Sequence, residues 1–192
     1  MVLTYIIIGL LALVALVAIV VALQPSDFRV ERTATMSAAP AAIFAEVNDL
    51  HRWQAWSPWE KIDPELKRTY EGPQAGVGAS YAWVGNKNVG EGRMTIVESR
   101  PDEFVRIKLE FFKPFAATNT AEFAFRKVND NQTTVTWTMF GCNNLMAKAF
   151  HLFINMDKMV GGQFAQGLAN LKTVVESASA DKSDFERTRI GL

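Results

Sequence analysis

A single cysteine, Cys142, stands among the 192 residues, which excludes an internal disulfide and leaves one isolated thiol. Lone cysteines are mostly small buried apolar residues, and Cys142 is expected to be one. Only two histidines, His51 and His151, accompany it, and no paired His or Cys spacing exists, so nothing supports a structural or catalytic zinc site. His151 falls near the start of a helical stretch, where a surface or cap role is expected. No serine sits in a nucleophile-elbow pattern, which argues against an esterase-type hydrolase. The glycines of Gly85–Gly92 invite comparison with a phosphate-binding loop. Such a loop needs Lys and then Ser or Thr after its last glycine, and Glu91 and Gly92 stand there instead. A hairpin connection is the expected role. No cofactor motif is found.

An excess of either charge is also missing. Twenty Lys and Arg balance twenty Asp and Glu, and all of them follow Ser26. Without a basic surplus there is no drive toward nucleic acid, and no polybasic cluster grips acidic lipid heads.

What the chain does have is a long apolar run. From Val2 to Leu23 there is no charge, and fifteen positions are Leu, Ile or Val. At ~1.5 Å per residue the run crosses a hydrocarbon core of ~30 Å. Each of these residues near the bilayer centre favours insertion by roughly 0.3–0.6 kcal/mol, an upper bound of roughly 5–9 kcal/mol for the set. A helix apolar on every side cannot lie on a soluble surface. Residues 1–24 are therefore expected to span a membrane. A cleaved secretory signal is the alternative, since Val20 and Ala22 could serve a peptidase, but the run exceeds a typical signal core and lacks a basic leader. Arg29 and Arg32 follow the run closely, which leans toward a cytoplasmic position for the rest of the chain.

Residues 25–27 form a linker, residues 28–177 one domain of ordinary size, and residues 178–192 a charged, polar tail expected to fray. Phe28–Met36 alternates as a half-buried strand does. Ser37 to Pro40 reads as a small polar cap and a proline opening a helix that carries Ile43, Phe44 and Val47. Asp49 caps a second short helix bearing His51, Trp53 and Trp56, which Ser57-Pro58 ends. The period then changes to two. Strands are expected over Tyr70–Gly72, Ala79–Trp83, Gly92–Ser99, Glu103–Lys113, Asn119–Lys127 and Gln132–Phe140, with a turn at Asn129–Asn131. From Leu145 to about Ser177 helical spacing returns, with Phe153, Met156, Val160, Phe164, Leu168, Leu171 and Val175 in one stripe.

The order implies an antiparallel sheet whose apolar face is covered by one long helix, an α+β architecture. A curved sheet wrapped on a helix leaves space between them, and such spaces are where small molecules bind.

The stretch Ala39–Trp59, with Pro40, Ile43, Phe44, Val47, Asn48, Asp49, Leu50, Trp53, Trp56, Ser57 and Pro58, resembles the opening of SRPBCC proteins. This is the START-like, polyketide cyclase/dehydrase superfamily with a helix-grip fold. Phe140, Gly141, Asn143, Asn144 and Met146, running into Met156–Met159, resemble its C-terminal part. The resemblance covers about Phe28 to Val175 and is closest to a membrane-anchored, polyketide cyclase-like branch. It implies the helix-grip fold and an apolar cavity. It implies no catalytic residue, since no catalytic motif can be matched.

Tyr81, Trp83, Phe111, Phe123, Phe125, Trp137 and Met139 share the expected inner face, with Met156, Val160 and Phe164 of the helix opposite. They form either a solid core or a pocket wall, and composition does not separate these. The methionines Met146, Met156 and Met159 favour an adaptable pocket. Trp53, Trp56 and Trp59 make a corner that is either a gate or, the preferred reading, packing of small helices on the sheet. Glu122 and Arg93 are expected on the solvated outer face. Three functions remain open. The first is membrane-anchored binding of a hydrophobic small molecule or lipid. The others are a cyclase or dehydratase, and a filled-core interaction module resembling Hsp90 activators.

Overall fold

The computed structural model describes residues 2–142, 148–149 and 156–190, with side chains described as far as residue 179 and that of Met156 omitted. The expectations for His151, Met146 and Phe153 fall outside the described residues, as does the side chain of Met156. Helix α1 (Val2–Ala22) carries no charge, and only Val21 among its side chains is buried. It is long and apolar enough to cross a membrane. Leu23–Ser26 then leads into strand β1 (Asp27–Met36).

Helix α2 (Pro40–Asn48) starts with proline in its first turn, where the missing N–H costs nothing. Its N-cap is Ala39, which makes no side-chain cap bond, so the expected Ser37 cap is not used; the Ser37 amide instead donates to Glu176. Asp49 does cap the next turn, Leu50–Arg52, accepting from the His51 amide. Helix α3 (Trp53–Trp56) and a 3₁₀ turn (Pro58–Lys61) follow.

Strands β2 (Lys67–Glu71), β3 (Ser80–Val84), β4 (Glu91–Arg100), β5 (Phe104–Lys113), β6 (Ala117–Asn129) and β7 (Gln132–Cys142) complete one sheet. Its order is β1-β7-β6-β5-β4-β3-β2, and every neighbouring pair is antiparallel. All the expected strands form, most of them one to three residues longer or displaced at an end. The C-terminal helix α4 (Met156–Ile190) crosses the inner face, burying Phe164, Leu168, Leu171 and Val175. Complete burial of each such side chain contributes about 1.5–3 kcal/mol. Arg32 of β1 reaches this helix and grips both carboxylate oxygens of Asp157, at 2.8 and 3.0 Å. The backbone of α4 continues to Ile190, so residues 178–190 are helical where a frayed tail was expected. This is the helix-grip arrangement of a sheet curved around one long helix.

The inner rows change character along the strands. On β6 the inward residues run Phe125, Phe123, Ala121, Asn119, from two bulky rings to two small side chains. At the bulky end Phe125 meets Phe44 edge-on at 5.9 Å, and Phe123 meets Trp53 edge-on at 5.7 Å. Ile43, Val47 and Leu50 pack there, all but inaccessible. That half is solid.

Candidate functional site

The other half is hollow. Between the inner face of β3–β7, the corner formed by α3 and the 3₁₀ turn, and the first turns of α4 lies a cavity of about 1420 Å³. Its sides are Tyr81 and Trp83 on β3, Met94 on β4, Ile107, Leu109 and Phe111 on β5, Ala121 on β6, and Trp137 and Met139 on β7. Trp53, Trp59 and Leu66 close the inner end, and Val160 and Phe164 supply the helix side.

Of the ten residues expected on this wall, seven line the cavity: Tyr81, Trp83, Phe111, Trp137, Met139, Val160 and Phe164. Phe123 and Phe125 do not. They share the inner face but sit one and two steps toward the solid end, where α2 and α3 cover them; Phe123 stacks on Trp137 at 4.7 Å. For Met156 only the backbone is described. Phe164 stacks on the opposite face of Trp137 at 4.0 Å and 8°, so the indole is held between two rings. The tryptophan corner divides in the same way. Trp56 is fully buried, with its N–H directed to the Glu46 carbonyl, whereas Trp53 and Trp59 also touch the cavity.

Space at this end follows from small residues at inward positions. Gly92 pairs with Trp83 across β3 and β4, and a Cβ on it would collide with the Trp83 ring and the Glu110 carbonyl. Glycine therefore lets the indole lie flat against the sheet, and Phe111 then meets that indole edge-on at 5.9 Å. Ala121, at the middle of β6, leaves unfilled the volume that a larger residue would occupy.

The wall is mainly apolar; beside the buried Ser57 and Asn119 it carries one buried carboxylate, which sequence reasoning missed. The 3₁₀ turn directs Glu60 inward, its side chain only 7% exposed. The Tyr81 hydroxyl donates to its Oε1 at 2.8 Å, and Arg68 Nε donates to Oε2 at 2.7 Å. Burial, reinforced by the Glu60 carboxylate that accepts its hydrogen bond, pushes the Tyr81 phenol far above the usual range, so Tyr81 remains neutral. The same carboxylate raises the Arg68 guanidinium further. Glu60 is thus held by two donors, one on each carboxylate oxygen. Only two buried side-chain nitrogens lack a partner among the described residues, the Trp137 indole N–H and Arg93 Nε. The first belongs to a residue of the cavity wall, but the nitrogen itself is out of reach of solvent. A lone Glu between Trp59 and Lys61 gave no warning of its position. The inward Gly92 and Ala121 were a signal that could have been read.

Glu122 and Arg93 lie on the outer face as expected, with Glu122 bound to Arg106 at 2.8 Å and Arg93 near Glu71 at 3.5 Å. Cys142 is exposed, contrary to the expectation of burial, because it is the last residue of β7 and pairs with Asp27 where the sheet ends. Among the described residues no group of three His, Cys, Asp or Glu is arranged to hold a metal.

The family model for polyketide cyclase / dehydrase and lipid transport proteins matches residues 27–176. The chain belongs to this family. Among curated proteins none matches it. Several solved structures share the fold of this family member. Norcoclaurine synthase from Thalictrum flavum, solved with dopamine and hydroxybenzaldehyde, has a TM-score of 0.60 at 10% identity over 78% of this chain and 86% of its own. The Zhui aromatase/cyclase from Streptomyces sp. R1128 has a TM-score of 0.58 at 12% identity over 78% and 89%. The Aha1 dimer from Colwellia psychrerythraea has a TM-score of 0.55 at 16% identity over 78% and 96%. At such identities the likeness establishes the fold alone.

Proposed function

We propose that this protein binds a hydrophobic small molecule or lipid in the cavity, and that α1 holds it in a membrane while it does so. The observation that carries the reading is a cavity of about 1420 Å³ walled mainly by apolar side chains. Ligand sites commonly enclose roughly 300–1,000 Å³, so there is room for a sizeable guest. Binding would transfer apolar ligand surface from water to this wall, worth about 25 cal/mol per Å² buried. Arg29 and Arg32 favour placing the domain on the cytoplasmic side.

A cyclase- or dehydratase-type activity is the second reading, and Glu60 beside Tyr81 is what favours it. Both of its carboxylate oxygens are already engaged, which weighs toward carriage. The filled-core interaction module loses its premise at the hollow half of the sheet.

The test is to purify the full chain from membranes in mild detergent, strip loosely bound lipid, and combine native mass spectrometry with organic extraction. A retained hydrophobic compound in near-stoichiometric amount is the expected result. A clean apo mass with no uptake of added hydrophobic probe contradicts the binding reading. Retention in the membrane pellet after carbonate washing is expected for α1 as an anchor, and release of a shortened chain overturns that part.

A further inference from the structure

The strand register fixes which way the cavity opens. Phe28 pairs with Gly141, Gly141 with Asn119, Asn119 with Leu109, Leu109 with Met94, and Met94 with Tyr81. The start of β1, the end of β5 and the start of β6 therefore lie at one end of the sheet. The exposed residues that line the cavity are at this end too: Lys87 and Asn88 between β3 and β4, Phe112 to Thr118 around the β5–β6 turn, Cys142, and Met159. The mouth and the N-terminus of β1 share one end of the domain.

That end is also tied to α1 by the shortest connection in reach. Between Ala22 and Asp27 stand only residues 23–26, which fully extended span at most ~18 Å at ~3.6 Å per step. Phe112 lies three residues beyond Leu109, so the β5–β6 turn projects ~10 Å past the level of Phe28, at ~3.3 Å per residue. Asp27 gains only one residue on that level. The turn thus extends further beyond that end of the sheet than the point where the tether attaches.

The two ends differ in surface chemistry. Apart from Tyr5 in α1, Phe112 and Phe115 are the only exposed Phe, Tyr or Trp side chains among the described residues, at 53% and 56%; Lys113, ion-paired with Glu91 at 2.8 Å, stands between them in the chain, and Lys87 is exposed on the β3–β4 turn at the same end. At the opposite end the turns carry Arg100, Asp102, Glu103 and Asp130, and the exposed large apolar residues there are valines: Val77, Val97 and Val128. Aromatic rings flanked by long cationic side chains are the composition of membrane–water interfaces.

We propose that the mouth docks on the bilayer that holds α1, with Phe112 and Phe115 of the β5–β6 turn entering the interfacial layer. This rests on the anchor reading above, and it deepens the function by naming the source of the guest. A lipid-soluble molecule passes from the bilayer into the cavity without crossing water, and the occupant of this surface is lipid rather than a second protein.

The test uses the full chain with Cys142→Ser, reconstituted in vesicles of phosphatidylcholine and phosphatidylglycerol. One cysteine at a time is introduced by Leu13→Cys, Phe115→Cys or Asp130→Cys and labelled with an environment-sensitive fluorophore. Quenching by lipids bearing nitroxides near the headgroup is then measured. Quenching at position 115 at least threefold stronger than at position 130 is expected, with a blue-shifted emission at 115. Equal, weak quenching at 115 and 130 overturns the docking. If position 13 is then quenched by nitroxides placed deeper in the chains, the anchor stands and only the docking fails. If position 13 is unquenched as well, both readings fail together. Strong quenching at 115 with none at 13 supports docking without an anchor.

Discussion

The two halves of the inner sheet face are built from the same kind of residue and do opposite things. Toward the Asn129–Asn131 turn, Phe123, Phe125, Ile96 and Val105 are packed shut beneath α2 and α3. Toward the other end, Tyr81, Trp83, Leu109 and Phe111 stand around open space. The alternating pattern is continuous through both. What differs is the size of the residues between them, with Ala121, Asn119 and Gly92 where the solid half has rings, and the extent of the short helices, which end with the 3₁₀ turn at Lys61. A pocket wall is thus a core whose filling was left out on one side.

The comparison breaks most readily at Phe123. Phe123→Ala is expected to lose about 3–5 kcal/mol of unfolding free energy, because it opens a void in close-packed surroundings. Leu109→Ala, at a wall that already borders space, is expected to lose less than half of that. Equal losses in chemical denaturation would mean the cavity half is as tightly packed as the solid half. Gly92→Val asks whether the wall itself is rigid. The added side chain must displace Trp83 or the β5 backbone, an overpacking cost of about 1–3 kcal/mol, and a stable variant with unchanged probe binding would show the indole free to move. Ala121→Trp sharpens the difference from the other side by restoring the missing filling. Probe affinity is expected to fall about tenfold, equivalent to ~1.4 kcal/mol, with folding retained; undiminished affinity in the folded variant would place the guest elsewhere.

The smallest effect concerns the helix that spans both halves. The Arg32 guanidinium, through its hydrogen bonds, holds the Asp157 carboxyl below its ordinary value of 3.8. A carboxylate lowered in the folded state stabilises above its unfolded pKa and loses that contribution as pH falls through the folded one. Amide exchange in the first turns of α4 is therefore expected to quicken only in acid, below about pH 4. Asp157→Asn should remove the pH dependence; the same acid response in that variant would assign it to another group.

Much of the fold could be read in the sequence, because period-two alternation and a helical stripe report burial directly. Val105 to Phe111 and Ala121 to Phe125 show their inward faces by spacing alone, and Asn129–Asn131 reports its turn. The division between core and cavity could not be read from the bulky residues, since Phe123 and Trp83 satisfy the same pattern; it depends on which helix covers each ring. Glu60 was illegible for a related reason. A single carboxylate in a polar turn becomes a wall residue only once Tyr81 and Arg68, 21 and 8 positions away, are brought to it. Cys142 misled because its burial depends on where β7 ends rather than on its own character.

The most direct test of a container at one end of the sheet is to photolabel the full chain with a diazirine-bearing hydrophobic probe and map the adducts by peptide sequencing. Adducts on Met94, Leu109, Phe111 and Met139 that disappear in Ala121→Trp are the predicted result. Adducts confined to α1 and the outer surface, and unaffected by that substitution, would contradict it.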